Sequence, residues 1–488
     1  MDLKIQKFEL ILLFITFLVI LSVYVSTSFH SFLSIDGPAY ILSIINKTPG
    51  WMDGKPVYIW IGRFFLWLGN ILGYSGPELI YVFDFYSAVF GALTCVNIYF
   101  IYRKLFDRRY EGIVASILLA FSPIFLLTSS MVEVYTPNLF FVTLSILFWL
   151  ERNFVLFGIS WGLAISSHAS SILLVVPFLV SLPSKRDMKN NLFVGLIITV
   201  VILLLGYFWV ISFYNDTYTY ANFYLDVTKK EYIQPFDLNT ILSGLIMFIN
   251  GIGVDLFIIT ILAIPLLIRS VYRDKIIFLT SWFIPYFLFF TFWIKEMFYV
   301  YTIPPIAILS ARSIFYISKF FNISETNITS KNKLTQILPK LQNLLILLFL
   351  IILVFLRSTY YYQMIYNSHD MIYDFDKFSI WTVDNVPQGS IIITSLEGLS
   401  VRFYNSKITV LLWGDSTFPE DESEIRSLVY TNITNYLKNG KKVYVTEYWF
   451  KQEGMYKGDD RFIKASFFLK NEFNVTKIND YVYKVTAK

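Results

Sequence analysis

Long runs of apolar residues, separated by short clusters of basic residues, constrain the fold of this sequence more than any other feature. The runs cover residues 8–28, 79–102, 113–130, 137–150, 154–182, 192–213, 241–268, 277–294, 297–314 and 341–356. A helix needs about 20 predominantly apolar residues to cross a bilayer. Soluble domains carry about a quarter of charged residues, whereas this chain carries 15%. The sequence therefore predicts a polytopic α-helical membrane protein.

Basic residues at the ends of these runs predict how the chain crosses the membrane. Lys7 precedes the first run, and Arg103 and Lys104 follow the second. Because cytoplasmic loops carry an excess of Lys and Arg, the N-terminus is predicted to be cytoplasmic, and Arg103 and Lys104 are interpreted as a topology signal only. The run 154–182 is too long for one untilted span, so we predict two short helices that meet near His168. The total is about eleven transmembrane helices.

The last part of the sequence has a different character, with more charge and frequent turns. Strand-like runs and helical patterns alternate there: strands at 390–394, 408–413 and 442–447, helices at 421–438 and 460–469, and a hairpin over 473–485. We predict a membrane domain over residues 1–359, with a first outer loop at 29–77. Residues 360–488 are predicted to form a small α/β domain outside the membrane.

Charge and cysteine usage limit the classes of partner. The net charge of +5 comes from clusters between apolar runs, a distribution typical of membrane topology and not of a nucleic-acid surface. The single cysteine, Cys95, lies inside an apolar run, so an intrachain disulfide is excluded. We expect a multi-pass protein of the cell membrane, with the endoplasmic reticulum membrane as the alternative, and no nucleic-acid partner.

Asp36 is the most informative polar residue, because it stands where the chain leaves the first apolar run. A carboxylate there costs free energy unless it pairs, meets water or has a function. The predicted topology places other polar residues at a similar outer depth: Asp53, Lys55, Arg63, Glu133, Tyr135, His168, Lys295 and Glu296. A carboxylate that accepts a proton and cations that stabilise a phosphate are the groups that transfer from a phospholipid-linked donor requires.

Six strings, taken in order, resemble the GT-C superfamily of polyprenyl-phosphate-sugar glycosyltransferases, and in particular protein O-mannosyltransferase-like membrane proteins. They are Ser34-Ile35-Asp36-Gly37, Lys55-Pro56-Val57-Tyr58, Asp84-Phe85-Tyr86-Ser87-Ala88, Glu133-Val134-Tyr135, Gly162-Leu163-Ala164 with His168, and the segment 295–305. The resemblance covers residues 8–310. The sequence departs from the family in its first loop, where Asp53-Gly54-Lys55-Pro56 replaces a string of His-Pro-Pro-Gly-Tyr-Pro character.

This resemblance implies inverting transfer of a sugar, mannose being one candidate, from a dolichyl- or other polyprenyl-phosphate carrier. The acceptor would be a hydroxyl of a protein, glycan or lipid at the outer face, and Asp36 would be the general base. The residues implied in binding the lipid phosphate and the sugar are Lys295, Arg63, Lys55, Glu133, Tyr135 and His168. No tightly bound cofactor and no divalent metal are expected, and one cavity is expected to hold Asp36 and Lys295.

Structural interpretations of the same residues stay open. Asp36 has the position of an N-cap for a helix that begins two residues later. The others have equally simple roles: an interfacial residue for Glu133, a hydrogen-bonded core histidine for His168, a snorkelling cation for Arg63, and a solvated pair for Lys295 and Glu296. At the level of function, the alternatives are a transporter or lipid flippase and a non-catalytic membrane scaffold. The similar halves typical of many transporters are not recognisable in the sequence.

Overall fold

The computed structural model describes residues 7–28, 30, 36–47, 55–182, 186–212, 237–254, 257–258, 260–261, 271–292, 296–323, 352, 356, 378–394, 401, 403–404, 407–412, 421–447, 449, 460–479 and 482–488. The chain divides into two compact units. The first unit comprises Met1–His30, Ser43–Leu68 and Tyr81–Asn367, and the second unit comprises Ser31–Leu42, Gly69–Ile80 and Ser368–Lys488. The predicted domain boundary at residue 359 lies outside the described residues and stays a prediction.

Helices build the first unit. Their bounds are α1 Lys7–Ser26, α2 Asp36–Asn46, α3 Pro56–Ile71, α4 Leu79–Phe106, α5 Arg109–Ala120, α6 Pro123–Ser129, α7 Tyr135–Glu151, α8 Phe154–Ser167, α9 Val175–Val180, α10 Arg186–Ile211, α11 Leu238–Ile252, α12 Arg273–Phe292 and α13 Ile303–Ile323. Helices α2, α3 and α4 carry residues of both units. Among the described residues, five helices are long and apolar enough to cross a membrane, or six if one bent pair counts as a span. A multi-pass protein is supported, whereas the count of eleven spans stays a prediction.

The run 113–130, predicted as one membrane span, consists of two helices, and the pair counts as one span only if the bend lies within it. Helices α5 and α6 meet at a bend of 72°. The cause is Pro123, which begins α6 and forces Ser122 before it into an extended conformation, with φ −69° and ψ 136°. Since proline lacks the N–H that a continuous helix would use, it fits the first position of a new helix.

The predicted break near His168 is confirmed. Helix α8 ends at Ser167, His168 is extended with φ −160° and ψ 123°, and a 3-10 helix over Ala169–Leu174 leads into α9. Asn138 on α7 holds this break in place, because its amide donates to the Ala164 carbonyl at 2.5 Å and its amide oxygen accepts from Ser171 at 3.0 Å. An irregular backbone at membrane depth requires such internal partners.

Three ion pairs join the α4–α5 corner to more distant helices. Glu9 of α1 is buried and pairs with Arg103 and Tyr99 of α4, while Arg109 of α5 lies 3.5 Å from the same carboxylate. Similarly, Arg312 of α13 pairs with Glu111 of α5 at 2.7 Å. The interpretation of Arg103 as a topology signal only was therefore wrong, because its side chain compensates a buried carboxylate.

The C-terminal part of the second unit is an α/β domain, as predicted. Its five strands are β1 Ile391–Thr394, β2 Thr409–Leu412, β3 Val443–Thr446, β4 Phe473–Lys477 and β5 Val482–Ala487, in the sheet order β2-β1-β3-β5-β4. Strand β1 pairs in parallel with β2 and β3, whereas β5 pairs antiparallel with β3 and β4. Helix α14 Glu422–Lys438 lies between β2 and β3 in the chain, and helix α15 Asp460–Glu472 lies between β3 and β4.

Alternation along the central strands gives this sheet a hydrophobic core on each face. Ile391 and Ile393 of β1 pack in one core with Val429 of α14, whereas Ile392 between them packs in another core with Phe378. A period of two along a strand places successive side chains on opposite faces. The continuous apolar strands of the sequence are thus explained by burial on both faces.

Candidate functional site

Asp36, the predicted base, lies in the first turn of α2 and is partly buried. The helix begins at Asp36 itself and not two residues later. A carboxylate in the first turn is stabilised by the positive end of the helix dipole, so the structural interpretation keeps its support. Asp36 belongs to the second unit, whereas Lys55, Arg63, Glu133, Tyr135 and His168 belong to the first.

Glu133 is buried in the short connection between α6 and α7, with 1% of its surface exposed. Ser87 of α4 fixes this connection, since its hydroxyl lies 3.4 Å from both the backbone nitrogen and the carbonyl oxygen of Glu133. The backbone N–H of Val134 donates to the Glu133 carboxylate at 3.3 Å. Glu133 is therefore an interior residue of the first unit.

Tyr135 and His168 meet in an aromatic cluster with the 3-10 helix Glu296–Thr302. The His168 ring centroid lies 6.2 Å from that of Tyr135, 6.2 Å from that of Phe298 and 5.7 Å from that of Tyr301. Tyr135 also contacts Phe298, at 5.7 Å, edge to face. Three segments that are distant in sequence thus converge on one place in the first unit.

His168 has a defined hydrogen-bonding role at the break after α8. Its Nδ1 lies 2.7 Å from the Ser170 hydroxyl and accepts from the Ser170 backbone N–H at 3.4 Å. Lys55, which directly precedes α3, lies within electrostatic range of the His168 ring. The structure therefore brings Lys55 near the cluster that contains Tyr135 and His168.

Tyr58 of α3 connects this cluster to a second buried carboxylate. Its hydroxyl lies within electrostatic range of both Glu133 and Asp84, and Glu133 acts similarly on the Tyr301 hydroxyl. The ring centroids of Tyr58 and Tyr86 lie 5.2 Å apart with a tilt of 34°, and the Tyr86 hydroxyl donates to the Tyr58 carbonyl at 3.3 Å. We call Tyr58, Asp84, Glu133, His168 and Tyr301 the buried polar cluster.

Asp84 and its partner His30 are the site residues that sequence reasoning missed. Asp84 lies in α4 with 1% of its surface exposed, and its Oδ2 is 3.3 Å from Nδ1 of His30. Asp84 entered the sequence reasoning only as part of a string that resembles a family. The signal was present, because an ionisable residue inside an apolar run is a functional candidate by default.

Two further cations, Arg63 and Lys295, were predicted for the site. Arg63 lies about two turns along α3 from Lys55, is partly buried, and makes no hydrogen bond or ion pair to any residue that the structure describes. Lys295 lies outside the described residues, so the expected cavity with Asp36 stays a prediction. Within the described ranges, no group of three His, Cys, Asp or Glu side chains is arranged to hold a metal ion.

Comparisons with known proteins agree with the resemblance. Residues 53–210 match the family model of dolichyl-phosphate-mannose-protein mannosyltransferases. ArnT from Cupriavidus metallidurans bound to undecaprenyl phosphate is similar in structure, with a TM-score of 0.62 and 12% identity, over 98% of this chain and 97% of that one. The archaeal oligosaccharyltransferase AglB from Archaeoglobus fulgidus, in complex with an inhibitory peptide and a dolichol-phosphate, has a TM-score of 0.58 and 14% identity over 100% and 75% of the chains.

No curated protein matches the chain in sequence. At these identities, the structural similarity establishes the fold. The resemblance to protein O-mannosyltransferase-like membrane proteins, predicted for residues 8–310, is confirmed by the family model over residues 53–210.

Proposed function

We propose that this chain is a membrane glycosyltransferase that moves a sugar from a polyprenyl-phosphate carrier to an acceptor hydroxyl at the extracytoplasmic face. The buried polar cluster carries the proposal, because it places two buried carboxylates and two buried tyrosine side chains in the first unit of this fold, together with the half-buried imidazole of His168. Buried ionisable groups in a membrane protein are retained where they bind or react. Solved proteins of the same fold hold undecaprenyl phosphate and dolichol-phosphate.

In this proposal Asp36 is the general base that removes the proton of the acceptor hydroxyl as oxygen attacks the anomeric carbon. Lys55, Lys295 and Arg63 would stabilise the negative charge that develops on the departing lipid phosphate. The donor bond breaks as the acceptor bond forms, so the anomeric configuration inverts. The transfer is proposed to require no divalent metal.

Glu133, Tyr135 and His168 are proposed to bind the sugar. A carboxylate and a histidine supply acceptors and donors for hydroxyl groups, and aromatic rings supply flat apolar faces with polar tips. The rigid connection held by Ser87 at 3.4 Å would fix the Glu133 carboxylate for this purpose. Which sugar is bound, mannose included, follows from the assay below.

The test is sugar transfer from radiolabelled polyprenyl-phosphate sugars in membranes that contain the wild type or Asp36→Asn. Asn caps a helix as well as Asp does, so the substitution removes the base while preserving any capping role. We expect a rate loss of roughly 100- to 10,000-fold, the usual contribution of a general base. Expression and thermal stability should stay at the wild-type level.

The matched control is Asp237→Asn, the same substitution at an aspartate whose role is established. Asp237 caps α11, where its carboxylate accepts from the Thr240 backbone N–H at 2.7 Å, and transfer should persist in this variant. Full activity of Asp36→Asn would reduce Asp36 to a helix-terminal residue. Absence of transfer by the wild type with every donor would favour the transporter or scaffold alternatives.

A further inference from the structure

His30 and Asp84 form a carboxylate–imidazole pair near the N-terminal end of α4. Nδ1 of His30 lies 3.3 Å from Oδ2 of Asp84, although the two residues are 54 positions apart in the chain. The carboxylate side chain is 2% exposed and the imidazole 39% exposed. The Asp84 carboxylate is therefore buried, and the His30 ring is partly exposed at the surface of the protein.

The imidazole is held in one orientation. Its ring lies 4.2 Å from the ring of Tyr81, tilted by 47°, so an aromatic contact and a carboxylate contact fix it together. The backbone of His30 has a φ of 53°, in the left-handed region that residues other than glycine rarely adopt. Such conformations persist where the surrounding structure imposes them and often accompany function.

The buried carboxylate of Asp84 has the His30 imidazole as its hydrogen-bond partner. A carboxylate in an apolar helix is stable when a cation and hydrogen bonds compensate it, and His30 supplies both an electrostatic contact and a hydrogen bond to Asp84. When the ring is protonated, both of its nitrogens are donors. Nδ1–H would then donate to Asp84, and Nε2–H would be available to a substrate.

We propose that His30, oriented by Asp84, is the proton donor to the departing phosphate in sugar transfer. The inference rests on the proposed function. As the acceptor oxygen bonds to the anomeric carbon, its proton passes to Asp36 and the anomeric carbon–oxygen bond breaks. The electron pair of that bond stays on the phosphate oxygen, which takes the Nε2 proton of His30. Asp36 then loses its proton to water and His30 regains one from water.

The position of the pair within the first unit supports this role. Asp84 lies in electrostatic range of the Tyr58 hydroxyl, which also faces Glu133. Lys55, proposed to hold the phosphate, stands three residues before Tyr58. The donor's phosphate and the His30–Asp84 pair would therefore share one end of the buried polar cluster.

The experiment uses His30→Gly in the full-length protein, with imidazole added back. Glycine adopts a positive φ without strain, so this variant should fold as well as the wild type. It leaves a space between Tyr81 and Asp84 of the shape of the deleted ring. We expect transfer to fall about 100-fold or more, within the range of general acid catalysis, and to recover at least tenfold with tens of millimolar imidazole.

Two controls separate proton donation from a structural role. His30→Gly combined with Asp84→Asn should gain nothing from imidazole, because the carboxylate that would hold the added ring as a cation is absent. Asp84→Asn alone should lower kcat with little change in KM for the donor. Wild-type rates for His30→Gly, or a loss that imidazole does not restore, would overturn the inference while Asp36→Asn still tests the proposed function. No transfer by the wild type would overturn both.

Discussion

Gly158→Ala is predicted to loosen the contact between α8 and α10. A Cβ at Gly158 would lie 2.1 Å from the carbonyl oxygen of Gly195 and 2.8 Å from its carbonyl carbon. Both contacts are to backbone, so no side chain can move aside. The Thr199 hydroxyl, which donates to the Gly158 carbonyl at 3.0 Å, crosses the same interface. Small residues allow such close approach of membrane helices.

The magnitude follows from the separation that the methyl group requires. Because real Cβ contacts essentially never fall below 3.0 Å, the helices must part by about 1 Å, which forfeits up to about half of the dispersion energy of each facing atom pair. For about 30 pairs at ~0.15 kcal/mol each, the loss is about 2 kcal/mol. The better helix propensity of alanine returns at most about 1 kcal/mol. The net destabilisation is therefore about 1–2 kcal/mol, which is similar to the cost of inserting an extra methylene group into a packed core.

Cys95 provides the assay. It is the only cysteine in the sequence and is fully buried, so a thiol-reactive fluorescent dye reports unfolding of the detergent-solubilised protein without background from other thiols. A loss of 1–2 kcal/mol should lower the midpoint by a few degrees, since 1 kcal/mol corresponds to about 2–4 °C in domains of 150–250 residues.

The matched control is Gly206→Ala, which adds the same methyl group to the facing helix, α10, about three turns from Gly195. There the nearest atoms are the Pro56 ring, at 3.0 Å, and the Ser166 hydroxyl, at 3.5 Å, with no backbone atom among the three nearest within 4 Å. We expect its midpoint to stay within a degree or two of the wild type. Equal midpoints for Gly158→Ala and Gly206→Ala would refute the proposed close contact.

Two further predictions concern charge. Glu9→Ala should destabilise the protein by roughly 3 kcal/mol because it removes the buried carboxylate that pairs with Arg103. Glu9→Ala combined with Arg103→Ala should cost less than the sum of the two single variants. Additive shifts of the unfolding midpoint in the Cys95 assay would contradict an interaction between Glu9 and Arg103. In the second unit, the Ser423 hydroxyl and the backbone N–H groups of Glu424 and Ser423 lower the pKa of Asp421, the N-cap of α14. The stabilisation of α14 by the Asp421 carboxylate should therefore be present above about pH 4 and be lost as pH falls through the folded-state pKa. Hydrogen exchange of α14 in the full chain, compared with Asp421→Asn after correction for intrinsic rates, measures this, and equal acid sensitivity of both proteins would count against it.

Local pattern was enough to predict most elements. The break at His168 followed from the length of an apolar run and its basic flanks. The strands of the second unit followed from short apolar runs between turns. Periodicity and run length are properties of neighbouring residues, so they can be read from the sequence without knowledge of the tertiary structure. The bend at Ser122 and Pro123 had an equally local signal, and the length of the run concealed it.

For the candidate site, the sequence identified the polar residues, and the resemblance to a family grouped them into one predicted site. Glu133, Tyr135 and His168 were singled out from local strings, and their convergence with the 3-10 helix at 296–302 required the packing of α7, α8 and α12. Their roles stay proposals.

By itself, the sequence determined that this chain is helical and membrane-spanning, because apolar runs longer than a bilayer's thickness admit few other structures. Only the tertiary structure decided which ionisable groups meet. Asp84 finds His30 across 54 residues, and Glu9 finds Arg103 across 94. The physical reason is that a buried charge must be compensated, but no local rule states which distant segment brings the compensating group.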